Sequence, residues 1–113
     1  GHVESDELMH EAAIREVKEE TGISIEFISH SIEPEKVVDE RAKALPRPLL
    51  VQLEDIGDHY HEDFVYLAKA KTYDIDNKED HEIYWFHIDE AIKLNTFDNV
   101  KRQMLHIKKL FNM

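Results

Sequence analysis

The nine residues Arg15-Glu16-Val17-Lys18-Glu19-Glu20-Thr21-Gly22-Ile23 decide the fold, within residues 1–23, GHVESDELMHEAAIREVKEETGI. They read as the last turns of a helix that stops at Gly22. Glycine enters the left-handed conformation beyond a helix C-terminus without a Cβ clash. Glu16, Glu19 and Glu20 stand at i, i+3 and i+4 and share one helical face. Like charges at that spacing repel, and the negative end of the helix dipole disfavours anions. Lys or Arg would suit a plain surface helix better. Acidic helix residues ordinarily form a solvated face. Three carboxylates at this end are accounted for when a hard divalent cation sits among them, because Mg2+ and Ca2+ take oxygen ligands.

Around this stretch the bulk properties are those of a single domain, residues 1–113, able to bury one modest core. A hydrophobic fraction of 42% is ordinary for a folded chain. The net charge of −11 argues against general nucleic-acid binding. It also sets the bare protein against a phosphate substrate, a repulsion that a bound cation relieves locally. The chain has no cysteine, which leaves no disulfide framework or thiolate site and fits a reducing cytoplasm. No apolar run approaches membrane-spanning length.

Ahead of the acidic stretch, Ser5 is the expected N-cap, with Asp6 and Glu7 in the first turn. Met9, Ala13, Ile14 and Val17 form the expected apolar stripe. Arg15 is within helical reach of Glu7, Glu11 and Glu19. Residues 23–33 read as a strand and residues 34–48, with all three prolines, as a loop that reaches over a cleft. Strands are expected over 49–56 and 59–70, joined at Gly57-Asp58 as a hairpin. Residues 72–82 read as an acidic loop and 83–88, IYWFHI, as a short aromatic strand. Asp89 is the expected cap of a short helix, Glu90 to Leu94. A last helix starts at Thr96 or Asp98 and carries Val100, Met104, Ile107 and Phe111 at helical spacing. Its Lys101, Arg102, Lys108 and Lys109 are expected to face solvent.

Taken as a spaced pattern, the opening stretch is Gly1, five residues, Glu7, seven residues, Arg15-Glu16, apolar Val17, one residue, Glu19-Glu20, one residue, Gly22 and apolar Ile23. This resembles the Nudix box at every fixed position. Seven identities match, each a residue type found at under roughly a tenth of positions. Independent agreement is on the order of one in ten million. Residues 82–94, EIYWFHIDEAIKL, and the segment HEDFVYLAKA resemble later elements of the same family.

The resemblance implies an α/β fold, an α/β/α sandwich around a mixed sheet, with the box as a loop–helix–loop. It also implies Mg2+ or Mn2+ on the box glutamates and a nucleotide-type substrate. The reaction is hydrolysis of a nucleoside diphosphate linked to another group X, by water attack on phosphorus. Carried over by position, Glu16 and Glu20 are metal ligands, and Glu19 is a ligand or assists the attacking water. Arg15 holds a carboxylate of the box, Glu7 or Glu19, and Gly22 is a backbone requirement. Family members often add a carboxylate from outside the box as base or extra ligand, and Glu79, Asp80 and Glu82 are the residues available, with Glu82 and Glu79 preferred. His59 and His61, two apart on a strand, are able to bind a metal from one face. Lys43 and Arg47 are able to reach phosphate from the proline-bounded loop.

The chain begins at the first residue of the box, where family members usually have preceding strands. The expected sheet is therefore incomplete at its N-terminal side. Bared apolar faces and open edges make a homodimer or strand-swapped association the expectation, with weak turnover. Two readings stand beside the enzyme: a Nudix-like module that binds a nucleotide or sugar-nucleotide without cleaving it, and a cation site that only stabilises the helix.

Overall fold

The structure is a computed structural model and describes residues 2–28, 40–76 and 82–112. Its elements are α1 (Met9–Thr21), β1 (Ile25–Phe27), β2 (Leu50–Asp55), β3 (Tyr60–Val65), β4 (Ala68–Ala70), α2 (Ile88–Ile92) and α3 (Asp98–Leu110). The chain is α/β, as expected. Among the described residues the strands pair antiparallel in two sheets, β1 with β4 and β2 with β3. Two compact units are formed, Gly1–Glu82 and Ile83–Met113.

In the first unit α1 starts later than the Ser5 cap predicts. Leu8 is the N-cap, and its N–H donates to Glu11 Oε1 at 2.7 Å. Ser5 and Asp6 lie in a turn instead, in which Glu7 Oε1 accepts from the Glu4 N–H at 2.8 Å. Glu7 is thereby spent on holding the approach to the helix rather than on its first turn. The covered stripe also turns slightly. Ala12 is buried, Ala13 and Val17 are half-buried, and Met9 and Ile14 are exposed.

At its other end α1 stops where glycine predicts. Gly22 has φ 77°, and its N–H reaches the Lys18 carbonyl at 2.9 Å. Thr21 Oγ1 donates to the Val17 carbonyl at 2.7 Å and accepts from the Ile23 N–H at 3.0 Å. Ile23, directly after, is buried. The chain then enters β1, which pairs with β4 in the register Ile25↔Ala70, Glu26↔Lys69 and Phe27↔Ala68. The segment after β4 returns to the helix end, where the Asp76 N–H donates to the Thr21 carbonyl at 2.8 Å. The last carbonyls of a helix have no partner within it, so this bond ties the end of α1 to residues 71–76.

The expected strand 59–70 is broken into β3 and β4 at Tyr66-Leu67. β2 and β3 form the expected hairpin, running from Leu50↔Val65 to Asp55↔Tyr60. Its turn is closed by the Ile56 N–H on the His59 carbonyl at 2.9 Å and the Gly57 N–H on Asp55 Oδ1 at 2.8 Å. Alternation along β2 puts Gln52 and Glu54 on the more covered face, while Val51 and Leu53 are 50% and 70% exposed. The polar face is stitched across the strands, with Gln52 Nε2 donating to Asp63 Oδ2 at 3.3 Å.

In the second unit the aromatic run 83–87 is irregular, not a strand. Among the described residues no strand pairs with it, so nothing there supports a ladder. Tyr84 and Phe86 instead meet edge to face at 6.4 Å. Ile88 belongs to α2, whose cap is His87 rather than Asp89: the His87 ring Nδ1 accepts from the Asp89 N–H at 3.3 Å. Asp89 is taken by Lys108 of α3, which donates to its Oδ1. That ammonium holds the Asp89 carboxyl below its usual range. Lys108 is therefore a strut between α2 and α3, not a purely solvated charge. Val100, Met104 and Ile107 mark the half-buried face of α3 as predicted, while Phe111, expected to extend it, is the exposed C-cap beyond Leu110.

The expected strand 23–33 is described only to residue 28, and residues 34–39 of the expected loop lie outside the described residues. No described helix is long and apolar enough to cross a membrane.

Candidate active site

Arg15 organises the site. It projects from the middle of α1, with Glu19 one turn ahead and the 2–8 segment folded alongside. Its Nε donates to both oxygens of Glu7 at 3.2 and 3.1 Å, and Nη2 donates to Glu7 Oε1 at 2.9 Å. Nη2 also donates to the His2 carbonyl at 2.8 Å. Nη1 meets Glu19 Oε2 and Glu16 Oε1, each at 3.1 Å, with Glu4 Oε1 further off at 3.7 Å. The planar fork of a guanidinium suits such multiple carboxylate contacts, where a lysine offers only a point charge.

Arg15 is thus a positioning residue, and it holds both Glu7 and Glu19. The sequence pattern pointed to these two; Glu4 and the His2 carbonyl were missed. The spacing of Glu4 from Glu7 was the available signal for the first, and a backbone carbonyl leaves no signal in a pattern of side chains. The Arg15 hydrogen bonds, followed by the Glu4 N–H, hold the Glu7 carboxyl below its ordinary value of 4.5. Glu7 in turn raises the already high pKa of Arg15.

A carboxylate with a lowered folded pKa contributes stability above its unfolded value, and that contribution is lost as pH falls through the lowered one. The thermal midpoint of the wild type should therefore exceed that of Glu7→Gln at neutral pH. The gap should close as pH drops below about 4.5, the ordinary glutamate value. A constant gap across an acid titration would show that Glu7 acts by packing alone.

Four carboxylates, Glu4, Glu7, Glu16 and Glu19, lie within 4 Å of this one guanidinium. Charge around Arg15 is therefore far from balanced, and Glu20 adds to the excess from an exposed position on the last turn of α1. The donors are all carboxylate oxygens, which fits a hard cation in kind. Glu16 and Glu20 occupy the same helical face one turn apart. With Glu16 and Glu19 drawn onto Arg15, no three ligating side chains are gathered tightly enough to hold a metal among the described residues.

Gly22 is required twice over. Its φ is left-handed, and a Cβ there would lie 2.6 Å from the Asp76 Cβ and 3.0 Å from the Asp76 nitrogen. The second reason, a close approach by residue 76, has no trace in the box itself.

Of the residues outside the box, Glu82 is exposed and joins no ligating cluster among the described residues. Glu79 and Asp80 lie outside the described residues. Lys43 and Arg47 are exposed on the irregular segment 42–48. The rings of His59 and His61 do come together, with Nε2 atoms 3.0 Å apart.

The sequence profile of the NUDIX domain matches residues 1–106. Among solved structures, the chain is similar to the crystal structure of a NUDIX-family hydrolase from Clostridium perfringens. The TM-score is 0.78 and the identity 26%, covering 98% of this chain and 78% of that one. No curated protein matches the sequence. With a profile that spans almost all of its length and a hydrolase that shares its fold, the chain belongs to the Nudix family of hydrolases.

Proposed function

We propose that the chain hydrolyses a pyrophosphate bond in a nucleoside diphosphate linked to a further group, with Mg2+ or Mn2+ held by Glu16, Glu19 and Glu20. The observation that carries this reading is the carboxylate excess around Arg15, where one guanidinium serves Glu4 and Glu7 ahead of α1 and Glu16 and Glu19 on it, with Glu20 exposed one residue further on. When bound, the cation supplies Lewis acidity toward phosphate oxygens and toward water.

The chain's own groups divide the remaining work. Glu16 and Glu20 present oxygens from one face. Arg15 grips Glu19 through Oε2, which orients Oε1 to accept a proton from the attacking water or to bind the cation. Glu7 and the His2 carbonyl fix the other side of the guanidinium, so that its direction is set before substrate arrives. A loop carboxylate, Glu82, is the further group proposed to join them.

The test is a panel of nucleoside diphosphates bearing different X groups, assayed for nucleoside monophosphate release. Turnover should require added Mg2+ or Mn2+ and stop on chelation. Tight binding of a panel member without cleavage, at saturating metal, would replace the enzyme by the binding module.

A further inference from the structure

The β2–β3 hairpin carries a histidine pair that the hydrolytic reading does not use. His59 closes the turn and His61 lies two residues on, so both side chains emerge on one face of the strand. Their rings sit 4.8 Å apart between centroids, with the Nε2 atoms 3.0 Å apart. The Nδ1 of His59 is in hydrogen-bonding range of Asp58 Oδ1. A carboxylate at Nδ1 sets the tautomer: the proton resides on Nδ1, and the Nε2 lone pair points at His61. A carboxylate behind a histidine, leaving the other nitrogen as the lone-pair donor, is the arrangement that fixes the tautomer of metal-binding imidazoles.

We propose that His59 and His61 chelate a divalent transition cation of the Cu2+, Ni2+ or Zn2+ class through their Nε2 atoms. The distance supports it. With metal–nitrogen bonds of about 2.0–2.1 Å, two ligands at right angles stand about 2.9 Å apart, and at a tetrahedral angle about 3.4 Å. The observed 3.0 Å lies nearest the right-angle case, the geometry of tetragonal Cu2+ and Ni2+. In the neutral pair His61 donates from Nε2 to His59. On binding, that proton moves to His61 Nδ1 and the two exposed rings turn so that both Nε2 lone pairs converge on the metal, so charge balance needs no proton release.

The surroundings are anionic. Asp58 lies behind His59, and Glu54 is the strand partner of His61, beside Asp63. Among the described residues no third ligating side chain completes the pair, so water fills the remaining positions. His61 also lines an open groove of about 440 Å³ with His2, Val3, Tyr60, Glu62 and Asp63, through which water and small ligands reach it. Imidazole donors select against Mg2+, which prefers oxygen. The pair is therefore chemically separate from the glutamate site on α1.

Titration calorimetry with Ni2+ alone as probe, in the presence of excess Mg2+, tests the proposal. One Ni2+ equivalent should bind wild type and weaken by at least about tenfold in His59→Asn and in His61→Asn. Asp58→Asn, which leaves both ligands, should weaken it by about tenfold as well. Cu2+ should bind more tightly than Ni2+, with nitrogen couplings from two imidazoles in its electron paramagnetic resonance spectrum. The chain has 8 histidines. Ni2+ binding unchanged in both histidine variants would place the metal on others and overturn the proposal. Displacement of Ni2+ by Mg2+ would overturn it equally. Circular dichroism of the variants separates loss of ligand from loss of fold.

Discussion

Glu20→Gln is expected to lower kcat by about a hundredfold or more while leaving the fold intact. Removal of a positioned acid, base or ligand group commonly costs 10²–10⁴ in rate, by the usual order of magnitude. Glu20 is the cleanest of the three glutamates for this test. Glu16 and Glu19 both contact Arg15, so replacing either also disturbs the grip on Glu7. Glu20 is exposed and stands outside that network. A rate loss in Glu20→Gln with an unchanged melting temperature therefore reports on chemistry. The loss should be partly recovered by raising the Mg2+ concentration if the carboxylate is a ligand. A full-rate Glu20→Gln enzyme would remove Glu20 from the metal site.

Gly22→Ala should be strongly destabilising, lowering stability by about 2–5 kcal/mol. A side chain in the left-handed region costs roughly 1–2 kcal/mol, and overpacking against backbone commonly adds about 1–3 kcal/mol. The neighbour here is the Asp76 backbone as well as its Cβ, so it cannot simply swing aside. Gly57→Ala separates the two causes. Gly57 also has positive φ, at 109°, but nothing lies within 4 Å of its would-be Cβ. Urea unfolding should show the larger midpoint shift for Gly22→Ala, and the excess over Gly57→Ala measures the Asp76 contact. Equal shifts would show that backbone strain alone accounts for both.

The helix, its glycine stop and the pairing of Arg15 with Glu19 were legible in residues 1–23, because each follows from local spacing on one helix; Glu7 was within reach as an expected helix residue, yet it meets Arg15 from the segment ahead of α1. The hairpin and the half-buried face of α3 were legible for the same reason. What was not legible depends on contacts distant in the chain. Asp76 meets Gly22 across more than fifty intervening residues. Lys108 read as a solvated cation until α2 brought Asp89 to it. IYWFHI has the composition of a strand, yet a strand exists only where a neighbour accepts its hydrogen bonds, and composition does not supply one. Ser5 looked like a helix cap because its neighbours are acidic. Glu4 and Glu7 are instead drawn toward Arg15, and the helix begins at Met9.

The bond from the Asp76 N–H to the Thr21 carbonyl makes one amide a gauge of the end of α1. An amide exchanges its hydrogen with solvent only when its bond opens, so the exchange rate measures the free energy of that local opening. At Asp76 the opening releases residues 71–76 from the last turn of α1, the turn that carries Glu19 and Glu20. Isotope uptake at this single position would thus follow, residue by residue, how far any change elsewhere in the chain loosens the carboxylates from their scaffold.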